Sequence, residues 1–570
     1  MPAAAARKKI SQAAFDECVR SNINDFDLDP DEAVADAMKE FELQGVDLSD
    51  VETSYAGPDG RGEHPAAIAT RAYVAAVEAG DRDAVAAAGE ALRARLGGGA
   101  EETPGWCAAC VGAGGVQGAA SAVADVAKAI IDAADADDDA EVASSLESHL
   151  IAALATLAAV LGGDDARDTY ASLKLPMAHV REVWPAAARR GGSPAALAAV
   201  AAVVAAAAMR NEPCKGAFAK AGVEAPVVAV FNVTTDARAL RAACDALRAV
   251  TNGDDGREPA SGAFAHARAF AKAGAARALC AALENVSSAG VSSDASDASD
   301  GSDLSLLASL AQALKNTAVN DDICKDVAEC GGIATTLRLL RGAATAHAGL
   351  AKSAAACLRQ LAGSDANKSV VAASEGIAVL THVARVFSER AADAKAKAKA
   401  NAASPHANAD ADAAAKANAN AAHAVVEQCL GALTALCLRH PENAARCGAE
   451  GVFEPIVECM AAGAAHKGTQ RQGAMFLRNA VVRNPENVPL VLATRAEALL
   501  RAAKRNHPSD CVDVASAAMR DLGCENYNEG YKPTTAVMGA DGVVRTPEEL
   551  GDEPVVGGYA DGYVGAIAEE

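Results

Sequence analysis

A segment with the same order of features recurs along this chain, and this repetition limits the possible fold more than any other property of the sequence. Each copy contains a helix with a basic or polar residue near its end, a short polar break, a second short helix, a glycine, and a helix rich in Leu or Val. One such copy cannot bury its apolar face alone, so neighbouring copies must stack on a continuous core. The clearest copies are Leu304–Leu340 and Ala351–Phe387, and others begin near Leu197, Leu240, Val425 and Gln470.

A glycine at the same place in successive copies measures the repeat length. Two of the separations approach about 40–47 residues, the period of armadillo and HEAT repeats, and the two longest contain insertions. Because glycine adopts left-handed backbone conformations readily, we predict a tight turn between the second and third helices of each copy. The sequence therefore predicts an all-α, right-handed superhelical solenoid of the armadillo/HEAT type. The glycines are Gly222, Gly274, Gly332, Gly376 and Gly451, with Ala496 at this place in the last full copy.

The repeats are preceded by a segment with a different pattern. Residues 1–55 are predicted to form an N-terminal helical hairpin, in which Phe15 and Val19 lie on one apolar helix face and Pro30 starts the second helix. Residues 56–104 are predicted to be a helical linker.

Armadillo repeats are predicted over residues 105–525. Low-complexity insertions near 287–303 and 389–422 have no apolar stripe and are expected to be solvated loops or frayed helices rather than core. Residues 526–570 are acidic and rich in Gly, and they are predicted to form a disordered tail.

The composition favours packed helices and protein partners. Aromatic residues make up 3% of the chain and apolar residues 51%, and Ala-rich stretches suit helices better than sheets. The net charge of −23 repels nucleic acids and anionic membranes over the surface as a whole. We therefore expect protein partners, no nucleic acid, no membrane, and a monomeric chain.

The cysteines and the N-terminus indicate the compartment. The fifteen cysteines are scattered at irregular spacings, unlike the dense, paired cysteines of small secreted domains. The basic residues Arg7, Lys8 and Lys9 are not followed by the apolar run of a secretory signal. We expect a cytoplasmic location, and also a nuclear one.

Two blocks of sequence resemble a known family. These are "KKISQAAFDECVRSNINDF" with "DPDEAVADAMKEFELQGVDLS" within Lys8–Ser49, and "CVDVASAAMRDLGC" over Cys511–Cys524. The chain resembles the armadillo repeat-containing protein 6 family, with the repeats between the two blocks in the same order. The resemblance implies an intracellular interaction scaffold and not an enzyme. His266 lies where the family is richer in histidine, so no metal or pH role is assigned to it.

The resemblance to armadillo proteins also implies a place for ligands. Such proteins bind extended peptides in a concave groove of third helices, where asparagines hold the peptide backbone and tryptophans separate the side-chain pockets. The asparagine position is occupied here by Asn316 and Asn479, with Gln360 as a substitute, but elsewhere by Ala249 and Ala435. The tryptophan position one turn earlier is occupied by Asp245, Gln312, Ala356 and Met475. A groove for Lys-rich nuclear-import signals is therefore not expected.

A basic residue recurs immediately before the asparagine position, and we call this set the basic ladder. In stacked third helices it would line one edge of the concave face and bind carboxylates or phosphates of acidic or phosphorylated partner segments. The alternative is that each side chain covers the adjoining helix and pairs with an acidic neighbour such as Asp521. The ladder consists of Arg248, Lys315, Arg359 and Arg478, with Arg520 as a looser match and Thr434 as the exception.

A second hypothesis of another class is a metal- or redox-dependent protein built around Cys107 and Cys110, the one C-x-x-C pair of the chain. A zinc site needs a second Cys/His pair nearby, and a redox site needs a stabilised thiolate. Neither is indicated, so two cysteines packed on a helix are the simpler interpretation. Nucleotide-loop and hydrolase motifs are absent from the sequence. We therefore predict no cofactor, no metal and no catalytic residue.

Overall fold

The structure is a computed structural model. It describes residues 8–26, 30–48, 51, 53, 64–97, 105–135, 140–189, 192–258, 260–289, 301–402, 409–528, 537–538 and 544–545. The chain divides into two compact units, Met1–Ala282 and Leu283–Glu570. We call them the N-terminal and the C-terminal unit and describe each by itself.

A small helical hairpin with its own core begins the N-terminal unit. It contains β1 (Lys8–Lys9), α1 (Gln12–Phe26), α2 (Pro30–Leu43) and β2 (Val46–Asp47), with β1 and β2 paired in parallel. Phe15 and Val19 of α1 are fully buried against Ala33 and Ala37 of α2, as the apolar spacing predicts.

The remainder of the N-terminal unit is built from helices that pack in repeating order. The third helices of successive repeats are α7, α11 and α14, which pack side by side in that order. Helix α4 also packs against α7. The bounds are α3 (Pro65–Ala79), α4 (Arg82–Leu96), α5 (Trp106–Gly112), α6 (Gly115–Asp135), α7 (Ala140–Val160), α8 (Asp164–Ser172), α9 (Leu175–Ala178), a π-helical segment (His179–Val183), α10 (Trp184–Ala187), α11 (Pro194–Ala208), α12 (Glu212–Ala221), α13 (Glu224–Val233), α14 (Ala237–Thr251), α15 (Ala263–Lys272) and α16 (Ala275–Ala289), which crosses the unit boundary.

The C-terminal unit continues the same scheme of a short first helix, a second helix and a longer third helix. Its third helices, α17, α20, α23, α26 and α29, pack side by side in that order. The bounds are α17 (Gly301–Thr317), α18 (Asp321–Glu329), α19 (Gly332–Arg341), a 3-10 turn (Ala343–Ala346), α20 (Ala348–Leu361), α21 (Asp365–Ala373), α22 (Gly376–Ala402), α23 (Ala409–Cys437), α24 (Pro441–Ala449), α25 (Phe453–Ala462), α26 (Lys467–Val481), a 3-10 turn (Pro485–Asn487), α27 (Val488–Leu492), α28 (Ala496–Asn506), α29 (Pro508–Asp521), β3 (Val537–Met538) and β4 (Val544–Arg545), which pairs antiparallel with β3.

Buried asparagines join successive repeats of the C-terminal unit. Asn443 of α24 donates from Nδ2 to the carbonyl of Lys368 in α21 (3.2 Å) and to that of Leu436 in α23 (3.0 Å). Asn367 and Asn487 make the same two contacts one repeat earlier and one repeat later. Each asparagine thus binds a carbonyl of the preceding first helix and one near the end of the preceding third helix, where the last carbonyls of a helix have no intrahelical donor.

A buried lysine has a related role in the N-terminal unit. Lys215 of α12 is fully buried, and its Nζ lies 2.6 Å from the carbonyl oxygen of Asn252, the residue that caps the C-terminus of α14. The same Nζ is 2.5 Å from a carboxylate oxygen of Asp254 and 3.5 Å from one of Glu212. The cation therefore complements the negative end of a third helix and two carboxylates at once.

The glycine turns are present, but their assignment from sequence needs two corrections. With the ladder helix counted as the third, the turn lies between the first and second helices of each repeat, not between the second and third. The left-handed residue is Gly331 (φ 80°) rather than Gly332, and Glu375 (φ 61°) precedes Gly376. A Cβ at Gly376 would lie 2.6 Å from the carbonyl oxygen of Val371, so close packing requires this glycine. Gly222, Gly274 and Gly451 have the predicted positive φ.

Two segments differ from their predicted roles. Helices α3 and α4, within the predicted linker 56–104, pack on α6 and α7 and so extend the stack. Residues 389–402 and 409–422 of the second predicted insertion lengthen α22 and α23, which pack on each other and bury Ala391 and Ala422. Alanine has the highest helix propensity and permits close packing, so this low-complexity sequence forms helix.

Other predicted segments fall largely outside the described residues. In the first insertion, 287–303, residues 290–300 are not described, and its ends belong to α16 and α17. Most of the predicted tail, 526–570, is likewise not described.

Among the described residues, one helical segment, Glu141–Val160, is long and apolar enough to cross a membrane, and three bent helix pairs would also qualify if each were a single span. In the structure Leu150, Leu154 and Leu157 of this segment are buried, and α7 packs against α4, α6 and α11.

Candidate functional site

The third helices carry the basic ladder at a common register. In the C-terminal unit Lys315, Arg359 and Arg478 lie in the last turns of α17, α20 and α26, and Arg520 lies at the same place in α29. Thr434, the exception, is buried in α23. Arg248 has the equivalent position in α14 of the N-terminal unit. The structure therefore places the predicted residues of the C-terminal unit on one row of packed helices, which α23 with Thr434 interrupts between α20 and α26.

Three ladder arginines are engaged by carboxylates of the chain itself. Arg248 pairs with Asp245 of its own helix at 3.2 Å. Arg478 and Arg520 both contact the carboxylate of Asp521, at 3.1 and 2.8 Å. Asp521 is 10% exposed, so it is a largely buried counter-ion for the two arginines. For these three residues the alternative interpretation, pairing with acidic neighbours, describes the contacts that are present.

The predicted amide residues contact backbone and side chains within the stack. Asn479 donates to the carbonyl of Thr434 (3.1 Å), and Gln360 donates to that of Ala318 (2.7 Å), in each case on the preceding third helix or at its end. Asn316 accepts from the Gln312 amide (3.1 Å). The Asn479 and Gln360 amides therefore help to hold neighbouring helices together.

Arg359 differs from the paired ladder arginines. Its guanidinium lies across Gly431 of the next third helix, α23, where an added Cβ would be 2.9 Å from Nη1 and 3.0 Å from Cζ. Among the residues that the structure describes, it has no carboxylate within ion-pair distance. Sequence reasoning missed the contribution of Gly431, although a glycine within a long apolar helix is a signal of close approach by another group.

The cysteine pair of the second hypothesis is packed rather than reactive. Cys107 lies against Gly163, where an added Cβ would be 2.8 Å from its own Cβ, and Cys110 is fully buried. Burial raises the pKa of the Cys107 thiol to about 11 and also raises that of Cys110. Raised thiol pKa values oppose nucleophilic and redox chemistry, which needs thiolate.

A metal centre has no geometric support in the described part of the chain, where no group of three or more His, Cys, Asp or Glu side chains converges. His266 is half-buried with Nε2 3.9 Å from Glu212, and burial lowers its pKa. The metal- or redox-dependent alternative is therefore without support.

The packing of three-helix repeats through their third helices defines an armadillo-type α-solenoid. A crystal structure of an engineered protein has a TM-score of 0.51 with this chain at 18% identity, and the match covers 80% of this chain and 99% of the other. A designed armadillo repeat protein matches with a TM-score of 0.37 at 16% identity, over 52% of this chain and 98% of its own. The helix packing and the match to the engineered protein confirm the predicted all-α repeat fold.

The N-terminal segment is similar to the corresponding segment of a known family. Residues 7–67 match the model of the armadillo repeat-containing protein 6 N-terminal domain. Armadillo repeat-containing protein 6 from Pongo abelii is 54% identical over 44 residues, and that from Homo sapiens is 52% identical over 44 residues. These alignments cover 8% of this chain and 9% of each relative. The resemblance to the armadillo repeat-containing protein 6 family is thus confirmed, through its N-terminal domain.

Proposed function

We propose that this protein is a binding scaffold whose protein partners dock on the face formed by its third helices. The observation that carries the proposal is the alignment of α17, α20, α23, α26 and α29, which places side chains of equal register next to one another. A row of equivalent positions suits an extended segment of a partner, because successive residues of the segment meet successive helices.

The charge of this face favours acidic partner segments. Lys315, Arg359, Arg478 and Arg520 recur at one register of a chain whose net charge is −23. A partner that bears carboxylates or phosphates gains charge-assisted hydrogen bonds there. Arginines already paired with Asp245 or Asp521 can share their remaining donors, since a guanidinium carries five N–H groups.

Reversing three ladder charges in the variant Arg248→Glu/Arg359→Glu/Arg478→Glu is expected to abolish capture of partner proteins by the full chain. A matched variant, Arg277→Glu/Lys325→Glu/Arg385→Glu, reverses three charges on exposed residues of first and second helices. It should capture the same partners as the unchanged chain. Capture is measured by affinity purification and mass spectrometry, with circular dichroism to verify helicity.

Unchanged capture by the folded ladder variant would overturn this proposal. Equal loss in both variants would also contradict it, because the effect would then follow net charge and not the third-helix face.

A further inference from the structure

The Arg359 side chain is held by the helix next to its own. Its stem and guanidinium cross from α20 to α23 and lie on the bare backbone of Gly431, with Cδ and Nη1 2.9 Å and Cζ 3.0 Å from the place where a Cβ would be. Any other residue at this position would occupy the space of the guanidinium. The charged group therefore lies in the space that the absence of a side chain at Gly431 leaves open.

Gly431 makes helix α23 less stable than alanine would, and its own backbone conformation does not require a glycine. It lies inside α23, where glycine is less favourable than alanine because it gains more backbone freedom on unfolding. It does not have a positive φ that would require glycine. The close approach of Arg359 is the contact that accounts for it.

The chain does not neutralise this arginine. Where Arg248, Arg478 and Arg520 each contact a carboxylate, the Arg359 guanidinium has none among the described residues. The nearest acidic residue along α23, Glu427, is one turn from Gly431, but its carboxylate is directed to the next third helix, α26. Its carboxylate lies over Gly468 in the first turn of α26, at the positive end of that helix.

From this arrangement we infer that Arg359, seated on Gly431, is a receptor for an oxyanion of the docked partner, either a carboxylate or a phosphate. The inference rests on the proposed scaffold function and adds the chemical group that is recognised. A planar guanidinium can donate two parallel hydrogen bonds to such a group, and no internal ion pair has to be broken first.

The test measures binding of a fluorescein-labelled oligoglutamate peptide, and of a peptide containing phosphoserine, to the full chain by fluorescence anisotropy. Arg359→Ala removes the donor, and Gly431→Ala displaces it while leaving the arginine in place. Each is expected to weaken binding about tenfold, the scale of a lost charge-assisted hydrogen bond. Gly431→Ala should leave thermal stability equal to or above that of the unchanged chain, because alanine favours helix.

Two controls match these changes. Arg385→Ala removes an exposed arginine from the second helix α22, and Gly216→Ala adds a methyl group to helix α12 in open space. Neither is expected to alter binding. The peptide that depends more strongly on Arg359 shows whether the oxyanion is a carboxylate or a phosphate.

The inference would be overturned if both peptides bound the Arg359→Ala and Gly431→Ala variants as tightly as the unchanged chain. It would also be overturned if neither peptide bound the unchanged chain. If neither peptide binds but the ladder variant still loses its partners, the scaffold proposal holds and only the oxyanion receptor is wrong. If the ladder variant also retains its partners, both proposals are wrong.

Discussion

Replacing Asn443 with alanine is expected to lower the free energy of unfolding of the C-terminal unit by roughly 2–4 kcal/mol. The side chain is 3% exposed and donates to two backbone carbonyls, those of Lys368 and Leu436. Alanine cannot donate to either, and water has little access to a site this buried. The loss should exceed that of an ordinary core hydrogen bond because two hydrogen bonds from one repeat to the preceding repeat are removed at once.

Urea unfolding followed by circular dichroism measures this loss, and hydrogen exchange locates it. Amides of α21 and α24 should lose protection first, since Asn443 joins these two first helices. Asn418→Ala on the exposed face of α23 is the matched control and should leave stability unchanged or slightly raised. A stability of Asn443→Ala equal to that of the control would show that the buried asparagines do not join the repeats.

Replacing Lys215 with methionine is expected to destabilise the N-terminal unit by about 3 kcal/mol. Methionine has a similar length, so the change removes the charge and the hydrogen bonds more than the packing. The Asn252 carbonyl at the end of α14 loses its donor, and Glu212 and Asp254 lose a common cation. Asp254 is 33% exposed and can be solvated, whereas Glu212 is 13% exposed and cannot be solvated fully.

The comparison is with Lys220→Met, which removes an exposed lysine from the same helix, α12, and should change stability little. Both variants are compared by thermal unfolding and by hydrogen exchange of α12 and α14. If Lys215→Met were as stable as Lys220→Met, the burial of this lysine would be incidental to the fold.

Much of the fold could be predicted because its signals are local. The order of helices and the register of the ladder follow from apolar spacing and from glycines near helix ends, which act within one repeat. The turn after the first helix α21 was predicted at Gly376, but its left-handed residue is Glu375. A search for glycines does not find a turn in which a non-glycine residue has this conformation. The long helices α22 and α23 were missed because their contact face is alanine, which an apolar-stripe search does not detect.

The helical register of the basic ladder could be predicted from the sequence, but the surroundings of its side chains could not. Periodicity places Arg359 and Arg478 at equivalent points of their helices, yet their surroundings differ. Arg478 meets Asp521 from the next third helix, whereas Arg359 meets Gly431. These contacts join residues far apart in sequence, so no local pattern distinguishes the paired arginine from the unpaired one.

The central claim is that partners dock on the third-helix face, and site-specific photo-crosslinking tests it most directly. A benzophenone side chain is introduced at Ala356 or Met475 on third helices, and for comparison at Ala334 or Glu458 on exposed parts of second helices. We predict that captured partners crosslink to the full chain from Ala356 and Met475 and not from Ala334 and Glu458. Crosslinks that form only from the second-helix positions would contradict the account.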